Sequence, residues 1–126
     1  MKNNKGLTLI EVLIVLAIIG IFAWVAVPSF IRSLTTAKVK ATQVSLETLR
    51  SVLNTYYTEF NKYPDTLQEL VDEKFVGPHA LKDGWNHAYR YKVISDVQNT
   101  SQKYILFSCG KDGIEGTEDD MTLQEE

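Results

Sequence analysis

The sequence predicts an α+β protein. A long N-terminal helical spine, membrane-spanning in its first half, packs on a small antiparallel β-sheet head that ends in an acidic loop. Three observations carry this reading. Residues 7–27 are apolar almost without interruption. From Val39 the apolar positions recur at 39, 46, 49, 53, 56 and 60, with Thr42 in the gap, in steps of 7, 3, 4, 3 and 4 that mark one helical face. Beyond Asn61 the chain changes to short β-branched and aromatic runs bounded by turn residues.

The 126 residues suit one domain, and the net charge of −3 argues against a general nucleic-acid binder, which usually shows a basic face. One cysteine, Cys109, allows no intrachain disulfide and reads as a small buried apolar residue. His79 and His87 have no recognisable catalytic pattern around them and read as turn or surface residues. The sequence holds no Gly-rich phosphate loop, no HExxH and no GxSxG. About 65 residues beyond the long helix leave little room for an active-site pocket.

The first element is the apolar run. As a helix, residues 7–27 would be ~31 Å long, the thickness of a hydrocarbon core. Lys2 and Lys5 precede it and keep the N-terminus in the cytoplasm by the positive-inside rule. A secretory signal peptide has a shorter apolar core and a small-residue cleavage site, whereas Val27-Pro28-Ser29-Phe30 follows here. A plain anchor explains the length but not Glu11. A carboxylate at mid-bilayer costs roughly 2.5–3.5 kcal/mol, less near an interface. No Lys or Arg lies within the run, so a cationic partner is expected from another molecule.

The second half of the spine, to about Phe60, is the amphipathic stretch. Pro28 sits between the halves and predicts a kink, because proline removes one backbone donor and crowds the preceding turn. Asn61–Asp65 breaks the helix, helped by Tyr63 before Pro64. Thr66-Leu-Gln-Glu69 has the spacing of a capping box and opens a short helix to about Phe75, closed by Gly77-Pro78. Residues 89–94 and 103–108 read as two antiparallel strands around the polar loop SDVQNTSQ. Met121–Leu123 reads as a third.

The last segment, CGKDGIEGTEDDM, puts five carboxylates within nine residues among three glycines. Hard oxygen donors on a turning loop suit Ca²⁺, although a solvated acidic loop has the same composition. The spacing is not that of an EF-hand, and the lack of His and further Cys argues against zinc.

The stretch KGLTLIEVLIVLAIIGIFAWVAVP resembles the processing and assembly signal of the type IV pilin-like superfamily. The match comprises the short basic leader ending at Gly6, apolar Leu7, Thr8, Glu11, and an apolar helix through Gly20 to Pro28. Leu7 stands where the family usually has Phe. NKYPDTLQEL and DGWNHAYRY are similar to segments of major pseudopilins, the G-type subunits of type II secretion systems. There the second motif usually reads DPWGxxYxY, so Gly84 and Asn86 depart from it.

This resemblance implies a leader peptide (1–6), a transmembrane and fibre-core helix (7–28), its amphipathic continuation (29–60) and a periplasmic head (61–126). It implies that prepilin peptidase cuts between Gly6 and Leu7 and methylates the new amine. It implies that Glu11 pairs with the Leu7 amine of a neighbouring subunit. The implied function is a structural subunit of a periplasmic fibre that promotes export of folded proteins. The subunit waits as a single-pass inner-membrane protein among membrane lipid, then joins a homo-oligomer with minor pseudopilins on an inner-membrane assembly platform. The family's calcium loop maps onto Asp112, Asp119 and Asp120 as side-chain ligands and the carbonyls of Cys109 and Thr117, leaving Glu115 and Glu118 to solvent. That makes the acidic segment a C-terminal calcium loop. A type IV pilus subunit for adhesion, motility or DNA uptake is the alternative; many such pilins close a C-terminal disulfide that one cysteine cannot make. A monomeric membrane-anchored calcium-binding module is a third reading, with no role for Glu11.

Overall fold

A computed structural model describes residues 6–95 and 102–123. The leader lysines Lys2 and Lys5, and most of the loop expected between the two main strands, lie outside the described residues. The order is α1 (Leu9–Phe60), α2 (Leu67–Asp72), a 3₁₀ turn (Pro78–Leu81), β1 (Arg90–Ser95), β2 (Gln102–Ser108) and β3 (Met121–Thr122). The chain divides into two compact units, residues 1–36 and 37–126.

In the first unit the apolar run is helical from Leu9, and its side chains are exposed on every face, including Leu13, Ile19, Phe22 and Trp24. Such a helix buries nothing within the chain and needs an apolar surrounding. By length and composition it can cross a membrane. Pro28 is an interior residue of α1 and the helix continues past it, so proline does not end the apolar segment. Its missing N–H leaves the Trp24 carbonyl without the usual helical donor.

In the second unit the amphipathic stripe forms as the spacing predicts. Thr42, Leu46, Leu49, Leu53 and Tyr56 are the buried residues of α1. They pack with Leu67 and Leu70 of α2 and with Tyr89 and Leu106 from the sheet side. Val39 is half-buried, and Phe60 is exposed although its ring lies 4.5 Å from that of Tyr56. Asn61, with a φ of 55°, turns the chain out of α1 while its N–H still bonds the Tyr57 carbonyl at 2.8 Å. Asparagine tolerates this left-handed conformation better than most residues.

The helix α2 is shorter than expected, and its ends differ from the sequence reading. Thr66 is the N-cap, but its hydroxyl makes no capping bond. Instead the Glu69 carboxylate accepts from the Asp65 N–H at 3.1 Å and from the Tyr56 hydroxyl at 3.3 Å. The box is thus half-formed and shifted by one residue, because Glu69 also serves the buried phenol. At the other end Phe75 N–H bonds Leu70 O at 2.8 Å and Lys74 N–H bonds Val71 O at 3.0 Å. This is a Schellman closure with Lys74 at φ 62° in the left-handed position. Gly77 and Pro78, read as the end of α2, open the 3₁₀ turn.

The sheet has the order β1-β2-β3, antiparallel throughout, with Arg90 opposite Phe107, Lys92 opposite Ile105, and Ser108 opposite Met121. One face, with Tyr91, Tyr104 and Leu106, turns to the core. The Tyr91 hydroxyl reaches past it to the Pro64 carbonyl at 2.8 Å and ties β1 to the α1–α2 connection.

Leu53 has no exposed surface. Leu53→Ala is expected to lower the unfolding free energy of the second unit by about 2–5 kcal/mol in denaturant titration of the full chain. Lys74→Gly is expected to raise it by up to about 1 kcal/mol, because glycine enters the left-handed region without a Cβ penalty.

Candidate functional site

Two places in the chain concentrate polar chemistry, one in each unit. At the start of α1 the Glu11 Oε2 accepts from the Thr8 N–H and from the Thr8 hydroxyl, both at 2.8 Å. The Glu11 N–H lies 3.4 Å from the same hydroxyl. Thr8 and Glu11 therefore form a capping box that satisfies orphan donors of the first turn. Glu11 thus has hydrogen-bond partners at its own helix start, beside which the cationic partner expected from another molecule would be a second one. The donors are neutral, so they fix the carboxylate without cancelling its charge. Gly6 and Leu7 immediately precede the box, and both are exposed.

In the second unit the DGWNH turn is built around Asp83, whose side chain has no exposed surface. Oδ1 accepts from the N–H groups of Trp85 and His87, at 2.9 and 2.8 Å. Oδ2 accepts from the Ser108 hydroxyl at 2.6 Å. Ser108 Oγ in turn accepts from the Gly110 N–H at 3.1 Å, and His87 Nδ1 lies 3.0 Å from the Gly110 carbonyl. The turn after the 3₁₀ helix, the end of β2 and the start of the acidic loop thus share one buried carboxylate.

The departures from the family's usual turn motif have a structural sense. Gly84 N–H donates to Thr42 Oγ1 at 2.9 Å, while Thr42 donates to the Lys38 carbonyl at 2.9 Å. A proline at 84 has no hydrogen to give, and any Cβ there would meet the Lys38 carbonyl oxygen at 2.7 Å. Asn86 takes a φ of 70° where the motif has glycine, so the left-handed step of the turn is kept.

Beyond Gly110 the acidic loop folds onto its own N–H groups. Asp112 Oδ1 accepts from Ile114 N–H at 2.8 Å, and Asp119 Oδ2 from Asp112 N–H at 3.0 Å. Asp119 Oδ1 accepts from the Thr117 hydroxyl at 2.6 Å, and Asp120 Oδ2 from Gly116 N–H at 2.7 Å. The Thr117 carbonyl takes the Asp120 N–H at 3.3 Å. Gly110, at φ 61°, is held so closely under Asp119 that a Cβ would overlap its carbonyl oxygen. Cys109 is buried as expected. Glu115 and Glu118 are exposed, also as expected.

Among the described residues no three His, Cys, Asp or Glu side chains converge as a metal cluster. One atom points to a cation nonetheless. Asp120 Oδ1 is buried with no hydrogen-bond partner. A buried carboxylate oxygen is costly to leave unmatched, and the carboxylate and carbonyl oxygens of this loop are the donor type a hard cation takes. The residues present fit calcium on that chemistry.

Sequence reasoning missed Ser108 and the hydrogen-bonding roles of Asp83 and Thr8. The first two carry no spacing signal, because they are 25 residues apart. Thr8 with Glu11 has the capping-box spacing, which the apolar surroundings obscured.

Comparison with known proteins now decides the family. The model for type II secretion system protein G matches residues 29–125, and that for the prokaryotic N-terminal methylation motif matches residues 1–27. This chain belongs to the type II secretion system protein G family. It is 29% identical to type II secretion system core protein G of Klebsiella michiganensis, covering 95% of this chain and 92% of that one. It is 30% identical to the protein of the same name from Pectobacterium carotovorum, covering 94% and 83%. It is also 37% identical to the type IV major pilin protein PilA of Myxococcus xanthus, but over 54% of this chain and 31% of the pilin. No solved structure matches. The expected pseudopilin resemblance is thereby shown, and so is the α+β architecture of helix and three-stranded sheet.

The site yields two expected outcomes. Asp83→Ala leaves three donors without their acceptor, and hydrogen bonds to a charged group are worth about 1.5–3 kcal/mol each. Denaturant titration should register a loss of at least about 3 kcal/mol. The Thr117 hydroxyl, and then the Asp112 N–H, hold the Asp119 carboxyl below the usual aspartate range. A lowered folded value means that this contribution is present above the unfolded value of 3.8 and is lost as pH falls through the folded one. In calcium-free buffer, Thr117→Val should move the Asp119 midpoint upward in an NMR titration; equal midpoints would refute the assignment.

Proposed function

We propose that the chain is the structural subunit of a type II secretion pseudopilus, a periplasmic fibre that promotes export of folded proteins across the outer membrane. The observation that carries this reading is the conjunction of the two family matches, which together account for almost the whole chain. The apolar helix is the inner-membrane anchor of the waiting subunit and the core of the assembled fibre. The head is periplasmic and the N-terminus cytoplasmic. The chain has a structural role and catalyses no reaction.

Assembly follows from the first helical turn. Prepilin peptidase hydrolyses the bond between Gly6 and Leu7, which removes Lys2 and Lys5 and leaves an amine on Leu7 that is then methylated. Thr8 survives the cut, so Glu11 keeps its capping partners. The incoming amine of a neighbouring subunit supplies the positive charge that Thr8 cannot. An unpaired acid in the apolar interior costs roughly 2.5–3.5 kcal/mol, so pairing favours assembly over the isolated state. The kink at Pro28 adapts the helix to the packed fibre. Minor pseudopilins and the inner-membrane platform are the further partners.

In the head, Asp112, Asp119 and Asp120 with the carbonyls of Cys109 and Thr117 hold Ca²⁺. The ion supplies positive charge to a loop of five carboxylates and a partner for Asp120 Oδ1. The alternative, a type IV pilus subunit, is favoured by the Myxococcus pilin match, which spans about half of the chain.

Mass spectrometry of the mature protein should find N-methyl-Leu7 at its start; a mature chain retaining Lys2 refutes the reading. Glu11→Val should insert into membranes normally and form no fibre. For the metal, Asp119→Ala with Asp120→Ala, or a chelator, should lower the melting temperature of the full chain in detergent. Identical melting with and without calcium removes the ion from the proposal.

A further inference from the structure

The face of the sheet turned away from the core is neither polar nor apolar in the usual way. Its residues are Arg90, Lys92 and Ile94 of β1 and Lys103, Ile105 and Phe107 of β2, and the register sets each β1 residue opposite one of these β2 residues. The three cations are exposed, and Ile94 and Ile105 keep 42% and 41% of their surface. The water-facing side of an antiparallel sheet is normally polar, and grouped apolar residues on a surface mark an interaction site. Among the described residues, no carboxylate lies within 4.0 Å of any of the three cations, although Glu115 borders the strip at one end. Three positive charges with no ion-pair partner among the described residues thus share one surface of a chain whose net charge is −3.

The complementary surface lies on a different element. The helix α2 is buried through Leu67 and Leu70, which join the core that Leu106 and Tyr91 also pack into. Outward it carries Asp72 and Glu73, with Asp65 just before it, all exposed, beside half-buried Val71. One head therefore presents a basic-apolar strip on its sheet and an acidic edge on α2. Two unlike, complementary patches on one molecule make a head-to-tail contact, and a contact of that kind propagates into a filament rather than closing as a dimer. The acids of the C-terminal loop do not serve as well: Glu115 lies beside the strip itself, and neighbouring patches favour closed pairing.

We propose that the outer sheet face, through Arg90, Lys92 and Lys103 around Ile94 and Ile105, docks the acidic α2 edge (Asp65, Asp72, Glu73) of a second copy of this chain. The inference rests on the fibre reading above and adds to it a contact between heads. Exposed charges set register and partner choice more than raw affinity, so the contact weakens with salt and selects which head sits beside which.

The test is charge reversal in full-length chain assembled with its secretion apparatus. R90E/K92E/K103E should cut fibre yield at least about tenfold, D65K/D72K/E73K should do the same, and the combined six-residue variant should recover it. Independently, K92C/D72C fibres should give a ladder of disulfide-linked copies on oxidation, since native Cys109 is buried. The ladder decides the matter where a triple reversal fails to fold by circular dichroism. Wild-type fibres that tolerate both reversals, or that show no ladder, overturn the docking contact alone. Adducts formed only with a different protein overturn it as well. A wild-type chain that makes no fibre removes the fibre reading and this contact together.

Discussion

The head is organised by one buried charge. Asp83 sits with no exposed side-chain surface and, among the described residues, has no ion pair at hydrogen-bonding distance; His87 Nδ1 lies 3.9 Å from its carboxylate. Its charge is carried by the donors of Trp85, His87 and Ser108. A buried carboxylate needs such donors, and here they come from two separate parts of the chain. The turn, the last residue of β2 and the first residues of the acidic loop cannot move independently without exposing or orphaning that group. Gly84 adds α1 to the same arrangement through Thr42. The apolar stripe supplies most of the driving force for collapse, but Asp83 fixes which surfaces meet.

Two stretches with the same capping-box spacing show how far sequence carries. Thr66 and Glu69 are flanked by turn residues and read easily as a helix start, yet the threonine hydroxyl does not cap. Glu69 is drawn off by Asp65 N–H and by the Tyr56 phenol. Thr8 and Glu11 are set in apolar surroundings, where the acid draws attention as a misplaced charge, yet there both side chains reach the other's end of the turn. A local pattern states what donors and acceptors are near. Tertiary competition decides which are used.

The elements themselves were legible because they rest on periodicity. The stripe at Leu46, Leu49, Leu53 and Tyr56, the strands on either side of the polar loop and the short third strand all emerged from spacing and residue type. The 3₁₀ turn at Pro78–Leu81 did not, since four residues give no period to read. Asp83 and Ser108 were invisible for a different reason: their contact joins residues 25 apart, and either alone looks like an ordinary turn or strand-end residue. Of the acidic loop, the carboxylates were visible and their arrangement was not, because Asp112, Asp119 and Asp120 each accept from a backbone N–H whose direction only the folded chain defines.

The pairing of Ser108 with Met121 bears on what an ion could do here. It closes residues 109–120 into a ring without any metal. Closing a flexible ring of that size costs on the order of 2 kcal/mol of chain entropy. That cost is already met by the strand ladder and by the N–H bonds inside the loop. An ion entering it would meet a loop whose ends are already tied, and its binding energy would go to stiffening a closed ring instead of gathering an open one. The short strand β3 is the latch of that ring: its pairing with Phe107 and Ser108 holds the loop's two ends together with or without an ion.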